Sequence, residues 1–362
     1  MKDMNKPNYA IIGAGNGGHA FAAHLNLMGV NVNLYDVDPE RVRELQKTQT
    51  IKTTGAVIGE ANIDLISNDI EEVIKGTDII MVVIPSVYHA SIAQKMAPYL
   101  ADDQIVILNP GATGGALEVS FIFKKESKAE RVIVAETNTL LYACRSPKVG
   151  EVIISGVKDL VRVATIPSEE AKRIEELLNL SFPEFKSVPN IMWTSLENVN
   201  ALLHPAPTLL NAGRIETKVP FKYYLDGVTP SIAMVIEKMD EERLEIGKML
   251  GLKLPSILDW YEESYGVKGN TLYESIQKVE AYQEINGPTT LNTRYIFEDI
   301  PTGLVPLSEL GKMVGTFTPT IDAIIELGNV ILKRNFREDG RSLGKLGLEE
   351  KGINEIHTLL SV

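Results

Sequence analysis

Ile11–Ala20, reading IIGAGNGGHA, constrains this chain more than any other segment. Gly13, Gly15 and Gly18 fall in the pattern G-x-G-x-x-G, with Asn16 inside it. The apolar run Tyr9–Ile12 before the pattern has strand length. The Ala- and Leu-rich stretch His19–Met28 after it reads as a packed crossover helix. In that context each glycine has a task. Gly13 allows a tight turn, Gly15 lets a pyrophosphate approach the backbone, and Gly18 lets helix and strand pack closely. The pyrophosphate then faces the positive end of the helix. A glycine-rich turn without a ligand is the competing explanation.

A second strand, Val30–Tyr35, ends in Asp36, 18 residues beyond Gly18. An acid at that distance is placed to accept hydrogen bonds from an adenosine ribose diol. A 2′-phosphate there would meet a like charge, so NAD(H) is favoured over NADP(H). Arg41 lies close in sequence and keeps NADP(H) open, and Asp38 is an alternative to Asp36.

Further apolar runs follow at Asp78–Ile84, Gln104–Leu108 and Arg131–Ala135, with a helical segment at His89–Leu100. Nearly continuous apolar strands interleaved with helices predict a parallel sheet covered on both faces, an α/β doubly wound Rossmann domain. Two loops follow such runs, where ligands bind in open sheets. They are Pro85-Ser86 and Asn109–Gly115 (NPGATGG), which can approach the cofactor's ribose and nicotinamide. Ordinary turn chemistry explains each of them equally well.

After Phe182 helical patterns take over. Thr229-Pro230 reads as an N-cap with proline at the first helical position, opening a long helix that stops near Gly251. Helical stretches continue at Ser256–Tyr265, Thr271–Val279, Leu307–Val314, Ile321–Leu332 and Ile353–Leu360. The expected division is a Rossmann-type domain over residues 1–187 and a C-terminal all-α domain over 188–362.

The 362 residues carry 36 basic and 48 acidic side chains, a net charge of -12. A general affinity for nucleic acid or an anionic membrane is therefore not expected. Cys144 is the one cysteine, so an internal disulfide is impossible and no Cys-rich metal site is expected. The polar stretch Met1–Asn8 lacks the apolar region of a signal peptide, and no apolar run approaches the ~18 residues of a membrane span. The expectation is a soluble cytoplasmic protein.

Hydride chemistry needs a proton donor or acceptor beside the reacting carbon, and histidine serves best near neutral pH. Of the five histidines, His19 and His24 read as helix surface or packing, and His357 as solvent-facing. His89 either lines the cleft or caps a helix. His204 differs because it sits in NVNALLHPAPTLL (198–210), an apolar helical stretch broken by Pro205 and Pro207. Proline disfavours helical dihedrals for the residue before it, so His204 can project from the break. By residue type alone, a satisfied core histidine is the commoner explanation. NTRYIFEDI (292–300) carries Arg294, able to grip a carboxylate, and Asp299, able to orient a histidine. A surface ion pair is the plainer reading of those two.

Taken together, GAGNGGHAFAAHL (13–25), LNPGATGGALE (108–118), NVNALLHPAPTLLNA (198–212), YYLDGVTPS (223–231), WYEESYG (260–266) and LNTRYIFEDIPTGLVPLSELG (291–311) resemble the bacterial opine dehydrogenases, within the octopine/nopaline dehydrogenase family. The resemblance runs in order through both halves. It implies NADH-dependent reductive condensation of an L-amino acid, neutral and apolar, with a 2-oxo acid such as pyruvate, through an imine. It assigns His204 as the acid–base residue, Asp299 as the group that orients it and Arg294 as the carboxylate anchor. It also implies that the helical domain binds substrate and forms a homodimer. Met192, Trp193, Tyr223, Tyr224, Trp260 and Tyr265 are candidates for the side-chain pocket or for core. A simple 2-oxo acid or ketopantoate-type reductase is the alternative; the ketopantoate type would carry a catalytic lysine, for which Lys248 is a candidate that no segment places convincingly. A non-catalytic NAD(H) sensor would need the glycines and Asp36 but not the His–Arg–Asp set.

Overall fold

The apolar runs of the N-terminal half become strands of one eight-stranded sheet. The computed structural model describes residues 6–351, so the helix expected at Ile353–Leu360, and His357, lie outside the described residues. Among those residues the strands are β1 (Tyr9–Ile12), β2 (Val32–Tyr35), β3 (Thr50–Gly55), β4 (Gly59–Asn62), β5 (Leu65–Ser67) and β6 (Ile79–Val82). They continue with β7 (Ile105–Leu108), β8 (Ile133–Thr137), β9 (Tyr142–Arg145), β10 (Glu151–Val157), β11 (Val161–Ile166) and β12 (Phe185–Ser187).

The main sheet runs β12-β11-β8-β7-β6-β1-β2-β5. Every neighbouring pair is parallel except β8–β11. β1, β6 and β7 are buried along their whole length and are almost purely aliphatic, as a sheet covered on both faces requires. From β1 the chain goes outward to β2, then returns to lay β6 on the other side of β1. The carboxyl ends of β1 and β6 therefore flank a topological switch point, where such sheets bind ligands.

A second sheet, β4-β3-β10-β9, was not foreseen. Its strands β3 (TIKTTG) and β4 (GEAN) are polar and bury only alternate residues, so they lack the apolar runs that marked the main sheet. Helix Asn16–Leu27 packs against this sheet as well as beneath β1 and β2. Gly17, His19, Phe21 and Leu25 are all buried as a result, and the helix shows little amphipathic bias. Tyr142 of β9 meets the Phe21 ring edge-on at 4.8 Å.

The C-terminal unit is helical, with an isolated bridge between Lys222 and Asn286. Its longest helix, Pro230–Met249, is capped by Thr229, whose hydroxyl accepts from the Ile232 amide at 3.4 Å. Helix Ile257–Tyr265 opens with a reciprocal capping box between Ser256 and Asp259 and ends at Gly266, with φ of +65°. Buried Arg243 pairs with Asp240 and donates to the carbonyls of Leu196 and Pro255, so its charge is fully partnered. The division between compact units falls at Thr194/Ser195, later than the 187/188 boundary expected from the sequence. Helix Ile191–Leu196 accounts for the difference: the hydroxyl of Thr194, its fourth residue, donates to Glu136 of β8 at 2.8 Å and ties that part of the helix to the sheet.

Candidate active site

At the end of β1 the chain turns at Gly13, whose φ of +106° suits glycine alone. A Cβ on Gly13 would lie 2.5 Å from Ile84 Cγ2 and 2.8 Å from the Val83 carbonyl oxygen. One on Gly18 would lie 1.7 Å from the Gly13 carbonyl oxygen. These two glycines close the turn against β6 and against its own helix. Gly15 is the opposite case, because a Cβ there meets nothing within 4 Å. Its backbone is open to an approaching phosphate at the head of helix Asn16–Leu27, and the turn fits a dinucleotide.

Asp36, at the end of β2, accepts from the Ala14 amide (2.7 Å) and the Asp38 amide (2.9 Å). Arg41 reaches the same carboxylate at 3.1 Å. Asp36 thus braces the glycine turn while keeping an acceptor site for a ribose hydroxyl. Asp38 is taken up in capping helix Pro39–Thr48 through the Glu40 amide.

Asn16 turns away from a purely cofactor role, because its Oδ1 accepts from the Ser146 amide at 2.9 Å. His19 is completely buried beside it. Its Nδ1 lies 3.0 Å from the Gly15 carbonyl, and its Nε2 accepts from the Gly150 amide at 3.1 Å. The ring is therefore a neutral Nδ1–H tautomer clamping the β9–β10 loop to the glycine turn. Burial pulls its pKa below the usual histidine value. His24 contacts the Tyr142 hydroxyl at 3.0 Å, and burial lowers its pKa too.

Pro85 and Ser86 follow β6, with Ser86 buried at the start of a single 3₁₀ turn. His89 opens the next helix but is fully buried, so it is not exposed to a cleft. Asn109, at the end of β7, is buried; its Nδ2 donates to the Ile107 carbonyl, and its Oδ1 has no hydrogen-bond partner among the described residues. The loop beyond is organised by Glu136, which the sequence reading missed. A Cβ on Gly111 would lie 2.3 Å from Glu136 Oε2, and that oxygen accepts from the Ala116 amide.

The helical unit carries a separate constellation. Helix Asn200–Leu203 stops at His204, and Pro205 starts the next helix, Pro205–Leu210. At this joint the imidazole leaves the helical face. Its Nδ1 lies 2.8 Å from Asp299 Oδ2, and its Nε2 lies 3.1 Å from the Tyr224 hydroxyl. Tyr295 stacks on the ring at 4.3 Å, and Tyr223 sits edge-on at 6.5 Å. The His204 carbonyl accepts from both the Tyr223 and Thr208 hydroxyls at 2.7 Å, which fixes the backbone under the ring. Burial raises the Asp299 carboxyl above its usual range, while neighbouring His204 acts in the opposite sense.

Arg294 is not part of this pair. It heads helix Arg294–Phe297 with its side chain 73% exposed, and its Nε and Nη2 both donate to Glu298 at 2.6 Å. The carboxylate it grips in the chain is Glu298, not Asp299. Lys248 lies on the surface of helix Pro230–Met249, tied to Glu245, away from any acid–base cluster. Of the aromatic candidates, Tyr223 and Tyr224 are buried against His204, whereas Tyr265 is exposed. Among the described residues no group of three or more His, Cys, Asp or Glu is arranged to hold a metal ion.

Comparison with known proteins adds two domain matches. Residues 187–332 match the NAD/NADP octopine/nopaline dehydrogenase alpha-helical domain, and residues 8–134 match the NAD-dependent glycerol-3-phosphate dehydrogenase N-terminus. An opine dehydrogenase of Arthrobacter sp. (strain 1C) is 47% identical over 346 residues, covering 95% of this chain and 96% of that protein. Octopine dehydrogenase solved with NADH and agmatine shares the fold, with a TM-score of 0.83 at 20% identity over 97% of this chain and 98% of that one. The same enzyme solved with NADH and pyruvate gives 0.82 at the same identity and coverage.

Proposed function

This chain belongs to the opine dehydrogenase family and is an NAD-dependent oxidoreductase acting on CH–NH bonds, and from that premise we propose that it joins a neutral, apolar L-amino acid to a 2-oxo acid such as pyruvate. The observation that carries the site assignment is the 2.8 Å contact between His204 and Asp299.

NADH supplies the hydride that reduces the imine carbon. His204 takes a proton from the substrate ammonium through Nε2, freeing the amine to attack the 2-oxo carbon. It returns that proton to the hydroxyl that leaves as water. Asp299 orients the ring and stabilises the imidazolium formed in between. Arg294 anchors a substrate carboxylate, which competes with or shares the Glu298 contact; the exposed guanidinium supports this role. Gly13, Gly15, Gly18 and Asp36 hold the cofactor, with Asn16, Pro85, Ser86 and Asn109 bordering it.

The enzyme works as a homodimer in the cytoplasm, where its NADH is supplied. Exposed Met234, Phe317 and Val330 on the helical unit support an interface there. Among the described residues no helix is long and apolar enough to cross a membrane. Sedimentation of wild type against Phe317→Ser tests the dimer: a monomeric wild type rejects it.

The deciding assay is NADH oxidation near neutral pH with pyruvate alone, then with pyruvate plus each of a panel of L-amino acids. Turnover that needs both substrates, and that His204→Asn abolishes, is the expected result. Equal turnover with pyruvate alone would overturn the condensation.

A further inference from the structure

The two nitrogens of His204 have different partners, and the difference assigns the tautomer. The Asp299 carboxylate only accepts hydrogen bonds, so the proton of a neutral ring sits on Nδ1. Nε2 is then an acceptor, and the group 3.1 Å from it is the Tyr224 hydroxyl, which must donate. No rival donor reaches it from Tyr223, whose hydroxyl is taken up by the His204 carbonyl and by Thr208.

Tyr224 is held for this contact. Its ring stacks on Tyr282 at 4.0 Å and 18°, meets Tyr223 edge-on at 4.9 Å, and is buried. The hydroxyl hydrogen rotates, but the ring oxygen stays in place. Burial pushes its pKa well above the ordinary tyrosine value, so the group keeps its O–H throughout the working pH range.

We infer that Tyr224 is a positioning residue for the acid–base histidine: its hydroxyl donates to Nε2 and, opposite Asp299, holds the imidazole as the Nδ1–H tautomer with the working nitrogen unprotonated. This rests on the acid–base role proposed for His204. The polar and charged groups facing the ring are Asp299, Tyr224, Tyr223 and Tyr295, with Arg294 and Glu298 on the segment that carries Tyr295. Asp299 favours the protonated ring. The Tyr224 O–H bond exists only with the unprotonated one, and so it opposes Asp299.

Tyr224→Phe deletes one oxygen and keeps the stacked ring, which makes it the variant of choice. In the whole enzyme, kcat/KM is measured against pH in both directions. By the proposed mechanism both directions start from the unprotonated ring, so losing the O–H donor moves the acid limb of both profiles to higher pH. The expected move is about half to one pH unit, the worth of one net hydrogen bond. Tm and NADH affinity should stay at wild-type values. Profiles that overlay wild type in both directions, while His204→Asn is inactive, overturn the inference and leave the acid–base reading standing. Turnover by His204→Asn removes that reading instead. The ¹⁵N signal of His204 Nε2 then decides the hydrogen bond by itself: a change in Tyr224→Phe supports it, and an unchanged signal overturns it.

Discussion

His204 Nδ1 lies 2.8 Å from Asp299 Oδ2 although the two stand 95 positions apart in the chain. The contact needs the helical break at Pro205 on one side. On the other, it needs the turn between helix Arg294–Phe297 and the π-helical segment Ile300–Leu304. Both side chains are mostly buried, so the bond is shielded from water and its orientation is held tightly.

Asp299→Asn tests that relationship directly. An amide offers an N–H as readily as an oxygen to Nδ1 and allows the wrong tautomer. On the pattern of other acid–histidine pairs, kcat should fall by ~10³–10⁴-fold. NADH affinity should be unchanged. A loss below tenfold would mean that Asp299 does not serve catalysis through His204.

The fingerprint glycines separate packing from cofactor contact. In Gly18→Ala the new methyl would sit 1.7 Å from the Gly13 carbonyl oxygen, so the turn must open. We expect destabilisation of about 1–3 kcal/mol or more, with loss of NADH binding. Gly15→Ala meets no protein atom within 4 Å and should stay within about 0.5 kcal/mol of wild type while binding NADH at least ~10-fold more weakly. Thermal unfolding together with NADH titration reads both. Unaltered affinity in Gly15→Ala would count against a phosphate approaching at that backbone.

Asp36 and Arg41 set up a choice of cofactor. The carboxylate neutralises Arg41 and would repel a 2′-phosphate. Asp36→Ser frees the guanidinium, and the ratio of kcat/KM for NADPH over NADH should rise by about tenfold or more. Absolute affinity for both should fall, because the Ala14 amide loses its acceptor. Adding Arg41→Met should cancel the gain. A ratio unmoved by Asp36→Ser would place the ribose contact elsewhere, Asp38 being the next residue to test.

His19 makes the dinucleotide turn sensitive to acid. Burial lowers its pKa below the ordinary 6.5, so the unfolded chain takes up a proton more readily than the folded one. The stabilisation is complete above pH 6.5 and is lost as pH falls from there through the folded value. A protonated Nε2 would face the Gly150 amide, donor against donor. NADH affinity and Tm should therefore both decline below pH 6.5. His19→Gln should flatten that part of the Tm profile, and an unchanged slope would show that another group titrates there.

Much of this molecule could be read from its amino acids. Local periodicity and turn chemistry identified β1, the glycine turn and its helix, because Gly13 and Gly18 answer to constraints within a few residues of themselves. The same holds for the cap at Thr229-Pro230, whereas residue type left His204 at its proline break open between core and cleft, and only the family resemblance gave it the acid–base role. What lay beyond reach depended on contacts between distant segments. The second sheet pairs polar strands whose inward residues alternate singly, and it decides between the surface and packing readings of His19 by making it a buried clamp. The partner of Arg294 is Glu298, one helical turn away, because that spacing brings the two side chains together on one face. The family resemblance already paired Asp299 with His204, but the choice of nitrogen and the Tyr224 contact on the other one arise only when three separated segments pack together. Sequence determined which residues had the chemistry for proton transfer and dinucleotide binding. Tertiary packing decided which nitrogen meets which oxygen, since hydrogen bonding depends on distances of a few ångströms that chain spacing does not specify.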